Sequence, residues 1–241
     1  MAPSYIKAVI QSKVLKVVGL LLFFFLLAQN VGAQGYYGSG NYNRIGVGGK
    51  YIQTFITTSE LEMGAAQGGF LGGLTTRGRL SNDLGMVYGI DFLSTSALVK
   101  GRALGTTEFE DVKYTLIGAQ LNLLLSYNIL GNQHLAIDFG PTLLINGELK
   151  VDEQGQEDYI LQGYQSLKAT DISDISRVNA LGTVALTGGF ESVRFTLQYQ
   201  FAITNLFNKL NKNDLEQVET TGLPTFKAQT SIVGFGVVFY L

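Results

Sequence analysis

Between residues 192 and 205 apolar and polar residues alternate. Val193, Phe195, Leu197, Tyr199, Phe201 and Ile203 hold one parity, and Arg194, Thr196, Gln198, Gln200 and Thr204 hold the other. A period of two predicts a strand with one apolar and one polar face. Residues 111–129 repeat the pattern, with Ile117, Ala119, Leu121, Leu123, Leu125 and Tyr127 against Gly118, Gln120, Asn122, Ser126 and Asn128. An amphipathic helix is the competing reading there. Polar residues at 120, 122, 126 and 128 keep period two rather than about 3.6, which favours the strand. The closing residues 231–241 put Val233, Phe235, Val237, Phe239 and Leu241 on one parity and Gly234, Gly236, Val238 and Tyr240 on the other. An exposed apolar edge strand invites aggregation in water, whereas a closed membrane barrel pairs it with the first strand and turns one face to lipid.

Five further segments complete a set of eight. Residues 44–57 alternate loosely, and 67–76 form a glycine-laden second strand. Residues 84–99 place Met86, Tyr88, Ile90 and Phe92 on one face, with Val87, Gly89 and Asp91 on the other. Residues 134–147 set Leu135, Ile137, Phe139, Leu143 and Ile145 against Asp138, Gly140, Thr142 and Asn146; Pro141 costs a ladder bond and predicts a bulge. Residues 175–187 form the sixth strand, and the eighth runs from about residue 226 to the end.

Connections alternate in length. Those after strands one, three, five and seven have nine, 11, 27 and 20 residues, and those after two, four and six have seven, four and four, the first of these short ones being the tight polar turn Arg77 to Asp83. Long outside and short inside is the asymmetry of outer-membrane barrels. The predicted fold is all-β, an eight-stranded antiparallel up-and-down transmembrane β-barrel. A lipocalin-like barrel also has eight strands, but with an apolar interior. Here, aliphatics in lipid and satisfied polar residues inside is the less costly arrangement.

Composition agrees. Charged residues are 15% of the chain, against about 25% in soluble domains. There are 30 Gly, 27 Tyr plus Phe and no Cys, so no disulfide or thiolate metal site forms. After residue 33 no apolar run approaches the roughly 18 residues that mark a spanning helix. The net charge of −2 does not point to nucleic acid. Lys7, Lys13 and Lys16 precede an apolar core, GLLLFFFLLA, and Val31-Gly32-Ala33 offers small residues for cleavage. This is the plan of a secretory signal peptide, and the core is too short to serve comfortably as a permanent anchor. The expected domains are a cleaved signal peptide at 1–33, a periplasmic lead-in at 34–43 and an outer-membrane barrel at 44–241. Loss of the three lysines takes the net charge from −2 to −5.

Several motifs carry a family resemblance: GGK at 48–50, GGFLGGL at 68–74, TLIGAQLNLLLSY at 115–127, IDFGPTLLING at 137–147, RFTLQYQFAITNLFN at 194–208 and GFGVVFY at 234–240. In their order the chain resembles the PorT-like outer-membrane β-barrel proteins of Bacteroidetes-type bacteria. The resemblance implies a barrel in a Gram-negative outer membrane, and it does not transfer the secretion role of a founding member. The ending is similar to the assembly signal read by the barrel-assembly machinery. Gly236, Phe239 and Leu241 fall at its glycine and hydrophobic positions, although Gly234 stands where a polar residue is expected. The aromatic pair Phe239 and Tyr240 is expected at the periplasmic interface, where aromatic girdles form.

Chemistry is sparse. His134, the only histidine, sits at a turn predicted to be periplasmic, away from the outer rim where barrel acyl-transfer enzymes place theirs. GGFLGGL lacks the lysine and helix that a phosphate loop needs. The acidic residues Asp152, Glu153, Glu157, Asp158, Asp171 and Asp174 do not have EF-hand spacing and predict solvated surface charge. Lys50, Asp91, Asp138 and Arg194 fall on inward parity, so they predict a salt-bridge plug, or alternatively the lining of an ion path. No cofactor and no catalytic residue are expected. The leading reading is a non-enzymatic outer-membrane scaffold or accessory, with loops 148–174 and 206–225 available to a protein partner or ligand. A narrow channel is the alternative, and a lipid-modifying enzyme using His134 is the third.

Overall fold

Eight long strands close into a ring in the computed structural model, which describes residues 44–58, 60–81, 83–129, 134–190, 192–212 and 225–241. The segments expected to be a signal peptide and a periplasmic lead-in lie outside the described residues. The wall strands are β1 (Arg44–Thr58), β2 (Gln67–Arg79), β3 (Leu84–Arg102), β4 (Glu110–Asn128), β5 (Leu135–Asn146), β8 (Val178–Gly189), β9 (Val193–Ala202) and β10 (Ala228–Tyr240). Each pairs antiparallel with the next, and β10 closes on β1 from Gly46↔Tyr240 to Thr58↔Ala228. The predicted eight-stranded barrel is the observed one.

Its membrane zone is inside out relative to a soluble protein. Phe70, Phe92, Ile117, Phe195, Leu197 and Phe235 are exposed on the outer wall, while Asp91, Gln120, Asp138, Thr183, Arg194 and Gln200 are buried within. An apolar wall around a polar, hydrogen-bonded interior is stable only with hydrocarbon outside. Glycine on inward parity makes room for neighbours: a Cβ on Gly236 would collide with the Gly49 carbonyl and with Lys50.

The polarity then inverts. β3 and β4 have 19 residues each, where about 9–11 span a membrane. Their surplus carries them roughly 20 Å past the lipid at the long-loop end. There, Ser94, Ser96 and Lys100 replace Tyr88, Ile90 and Phe92 on the outer face of β3, while Ala97 and Val99 are buried inside it. On β4, Lys113 and Thr115 face outward, and Val112, Tyr114 and Leu116 are buried. The same two strands are membrane-like below and soluble-like above.

The projecting β3–β4 hairpin organises the long loops. β6 (Lys150–Val151) pairs with β4, and β7 (Ile160–Leu161) pairs with β3. Two short 3-10 helices, Ala169–Ile172 and Leu206–Lys212, pack beside them. Leu149, Leu161, Leu167, Ile172, Ile175, Phe207, Leu210 and Phe226 join Val112 and Tyr114 in one buried apolar cluster. Complete burial of each such side chain contributes roughly 1.5–3 kcal/mol. The segment after β5 is therefore a folded cap. Its predicted polar character holds only for its surface.

Three expectations need correction. Pro141 makes no bulge. The β4–β5 pairing lapses beside it but resumes in the same register, from Asn122↔Thr142 to Leu125↔Phe139. Pro141 lies on the exposed face of β5, so the missing N–H interrupts the ladder without a shift. Arg77 belongs to strand β2, not to a turn, and is buried in the lumen. Tyr240 does not join Phe239 at the lipid interface: adjacent residues of a strand face opposite ways, and Tyr240 is buried.

Candidate functional site

Polar side chains fill the lower lumen in two layers, four residues apart on β4 (Ser126 and Asn122), β5 (Asp138 and Thr142) and β8 (Thr187 and Thr183). Nearest the tight turns, the Arg77 guanidinium spans both Asp138 oxygens at 3.2 and 2.6 Å. It also donates to Ser126 and has the Tyr240 hydroxyl as a further partner. Thr187 donates to Asp138 over 2.7 Å. Five strands thus meet at one ion pair.

A second layer crosses the barrel. Lys50 and Asn122 donate to the same Asp91 oxygen at 2.8 and 2.9 Å. The Thr142 hydroxyl lies 2.8 Å from the Asn122 carbonyl oxygen and 2.7 Å from the Thr183 hydroxyl. Gln200 reaches Thr183 and forms a reciprocal amide pair with Gln120 at 3.1 and 3.2 Å. Between these layers lies a cavity of about 50 Å³, lined in part by Lys50, Arg77, Asp91, Asp138 and Gln198. It has room for a few waters.

Above the polar layers, Ile52, Leu71, Leu93, Leu144, Leu181 and Ile232 pack into a belt across the lumen, each at most 3% exposed. The cap's apolar cluster lies above that. From the tight-turn end upward the lumen is ionic, then amide-bonded, then apolar, and finally covered by folded loops.

All four sequence-predicted charges point into the lumen, but they do not all pair with one another. Lys50 and Asp91 pair with each other. Asp138 takes Arg77, which the sequence assigned to a turn. Arg194 is 2% exposed at the tight-turn end of β9. The signal that could have found Arg77 was parity, since Leu71, Gly73, Thr75 and Arg77 continue one inward row.

Of the assembly-signal residues, Gly236 faces the lumen opposite Lys50, while Phe239 and Leu241 are exposed on the wall. His134 lies 2.9 Å through Nδ1 from the Gly189 carbonyl, to which it donates, and meets Phe190 edge-on at 6.2 Å. It joins two tight turns. The acidic cap residues are spread among cations: Asp152 to Lys113, Asp158 to Lys168, and Asp174 to Arg177 and Lys209. The hydrogen bond from Lys209 holds the Asp174 carboxyl below the usual range. Asp158 likewise raises the Lys168 ammonium. No group of three or more metal-ligating side chains occurs among the described residues.

No family profile matches the chain. TonB-dependent receptor P3 of Formosa agariphila is 34% identical over 76 residues, which is 32% of this chain but 8% of that receptor. The chain therefore spans under a tenth of that relative's length. Among solved structures, Neisserial surface protein A is similar at 14% identity, with 81% of this chain and 96% of that one covered and a TM-score of 0.42. OprG, an outer membrane protein of Pseudomonas aeruginosa, is similar at 13% identity, with 85% and 98% covered and a TM-score of 0.46. Ail, the attachment invasion locus protein of Yersinia pestis, was solved with the heparin analogue sucrose octasulfate; it is 10% identical, with 83% and 100% covered and a TM-score of 0.44.

Proposed function

We propose that this chain is a non-enzymatic outer-membrane barrel that holds a folded platform at the cell surface. Its long loops face outward and its tight turns face the periplasm, as the length asymmetry of such barrels suggests. One observation carries the reading: the lumen is closed by the Ile52–Leu71–Leu93–Leu144–Leu181–Ile232 belt, with the cap's apolar cluster above it. An open pore needs a continuous wet path, and this arrangement favours support over conduction. The folded cap, including the described parts of loops 148–174 and 206–225, would present a fixed surface to a protein partner or ligand. His134, bonded to a backbone carbonyl among tight turns, is a poor candidate for acyl chemistry. Export by the 1–33 segment, a place among PorT-like barrels and recognition of Gly236, Phe239 and Leu241 by the barrel-assembly machinery belong to the same proposal. Planar-bilayer recording on folded protein tests it. The expected result is no reproducible unitary conductance, and a steady channel from the heat-modifiable folded species would overturn it.

A further inference from the structure

The first hairpin is forked at its long-loop end. β1 and β2 pair rung by rung up to Thr54↔Gln67. Continuing that register would join Phe55 to Ala66, Ile56 to Ala65, Thr57 to Gly64 and Thr58 to Met63. Those rungs are absent, and a cavity of about 120 Å³ lies between the two arms instead.

The fork is held open from both sides. β1 stays paired with β10 up to Thr58↔Ala228. The other arm is fastened to β3: Met63 bridges Val99, the Gly64 amide donates to Leu98 over 2.8 Å, and the Lys100 amide donates to Glu62 over 2.9 Å. The tip is lashed down as well, with Thr58 donating to the Glu60 carboxylate and Tyr164 to the Glu60 carbonyl. The Gln67 amide donates to the carbonyls of Ala65 and Ala66 at 3.1 and 3.4 Å. Each arm is secured away from its partner, so zipping the fork would break existing bonds.

The lining selects a ligand class. It contains no charged residue, which disfavours phosphate, carboxylate or a metal cation. Thr57, Ser96 and Gln67 supply hydroxyl and amide groups, and Ile56, Met63 and Ala97 supply apolar surface. Two strand edges add backbone donors and acceptors, which require partners. A cavity of ~150 Å³ takes a six-membered ring, so about 120 Å³ open to one side suits a ring inserted in part. Hydroxyls on the rim and C–H faces on aliphatic side chains are what a sugar ring offers.

Position agrees with this. Tyr51 and Phe70 meet edge-on at 5.7 Å on the wall just below the fork. Aromatic girdles mark the lipid interface. Ser94, where the outer face of β3 begins to turn polar, is paired directly with Phe70.

We propose that the fork between β1 and residues 63–66 binds one neutral sugar ring at the outer edge of the lipid layer. The height assignment rests on the transmembrane reading above, and the hydroxylated ligand class rests on the lining. The sugar could come from a membrane glycolipid or from free saccharide.

The test uses the full barrel, isotope-labelled, in sugar-free bilayer nanodiscs. It is titrated separately with n-octyl-β-D-glucoside, glucose and n-octanol while the amide resonances of Gly64, Ala65, Ala66 and Ala97 are followed. Saturable shifts with octyl glucoside alone support a membrane-anchored sugar, and equal shifts with glucose support a free one. Filling the cavity with Ala66→Phe, a change at an exposed rim position, should weaken binding at least about tenfold. Ala97→Leu fills it from the inner side as a second variant. Absence of saturable shifts with either sugar, equal shifts with octanol, or full affinity in both variants would overturn the proposal. Heat-modifiable gel migration of the same samples reports the membrane fold separately.

Discussion

Removal of Asp138 should be the most damaging single change in the lumen. The Arg77 and Asp138 side chains are 7% and 4% exposed, so neither charge has water to fall back on. Asp138→Ala leaves the guanidinium buried with Ser126 and Tyr240 as neutral partners and strips Thr187 of its acceptor. Breaking a buried pair by removing one partner costs about 3–5 kcal/mol. The double replacement Arg77→Met with Asp138→Leu removes both charges at similar volume, and should fall between neutral and about 1–4 kcal/mol more stable than the wild type. The chain has no Trp, so the folded fraction is best followed by gel mobility across a urea series in lipid vesicles. If Asp138→Ala unfolds within about 1 kcal/mol of the wild type, or if the double variant is as unstable as the single, then the pair is not the buried, mutually dependent unit described here.

Two further outcomes concern the cap. Phe207 is 1% exposed in the loop cluster. Phe207→Ala should cost the cap about 3–5 kcal/mol, speeding tryptic cleavage after Lys209 and Lys212 while heat-modifiable migration persists; an unchanged cleavage rate would contradict a packed cap. Asp174, lowered first by its hydrogen bond from Lys209 and then by Arg177, stabilises the cap above the unfolded carboxyl value of about 3.9, and that contribution is lost as pH falls through the lower folded value. Amide exchange at Leu206–Lys212 should thus be protected alike at neutral and mildly acidic pH and weaken only below about pH 4. Asp174→Asn should remove that acid-side change; loss of protection already at mildly acidic pH, abolished by the same variant, would count against the assignment.

The wall was legible in the sequence because lipid imposes a strict dyad. Val193 to Phe201 and Ile117 to Tyr127 had to alternate, and strand ends were found to within a few residues. The cap was not legible. Leu149, Leu161, Leu167 and Ile172 are scattered among acidic and polar residues, with no period to betray that they converge. Their partners Val112, Tyr114 and Leu116 share a strand whose inward row passes through Gly118 and turns polar at Gln120, four residues past Leu116. One continuous parity therefore crosses from soluble-like to membrane-like packing with no break in the alternation. The lumen was half legible. Inward parity picked out Lys50, Asp91, Asp138 and Arg194, but the sequence alone does not say which cation meets which carboxylate across the barrel. The forked hairpin depends on which strand residues 62–64 bond to, and composition carries no trace of that choice.

The inversion of polarity along β3 is the central claim, and spin-label accessibility tests it most directly. Because the chain has no Cys, single cysteines can be placed and labelled at will. Labels at Tyr88, Ile90 and Phe92 should favour oxygen, which concentrates in hydrocarbon, and labels at Ser96 and Lys100 should favour a water-soluble nickel reagent, with the crossover near Ser94. Nickel access at 88–92 equal to that at 96 and 100 would contradict a membrane zone ending there and the account built on it.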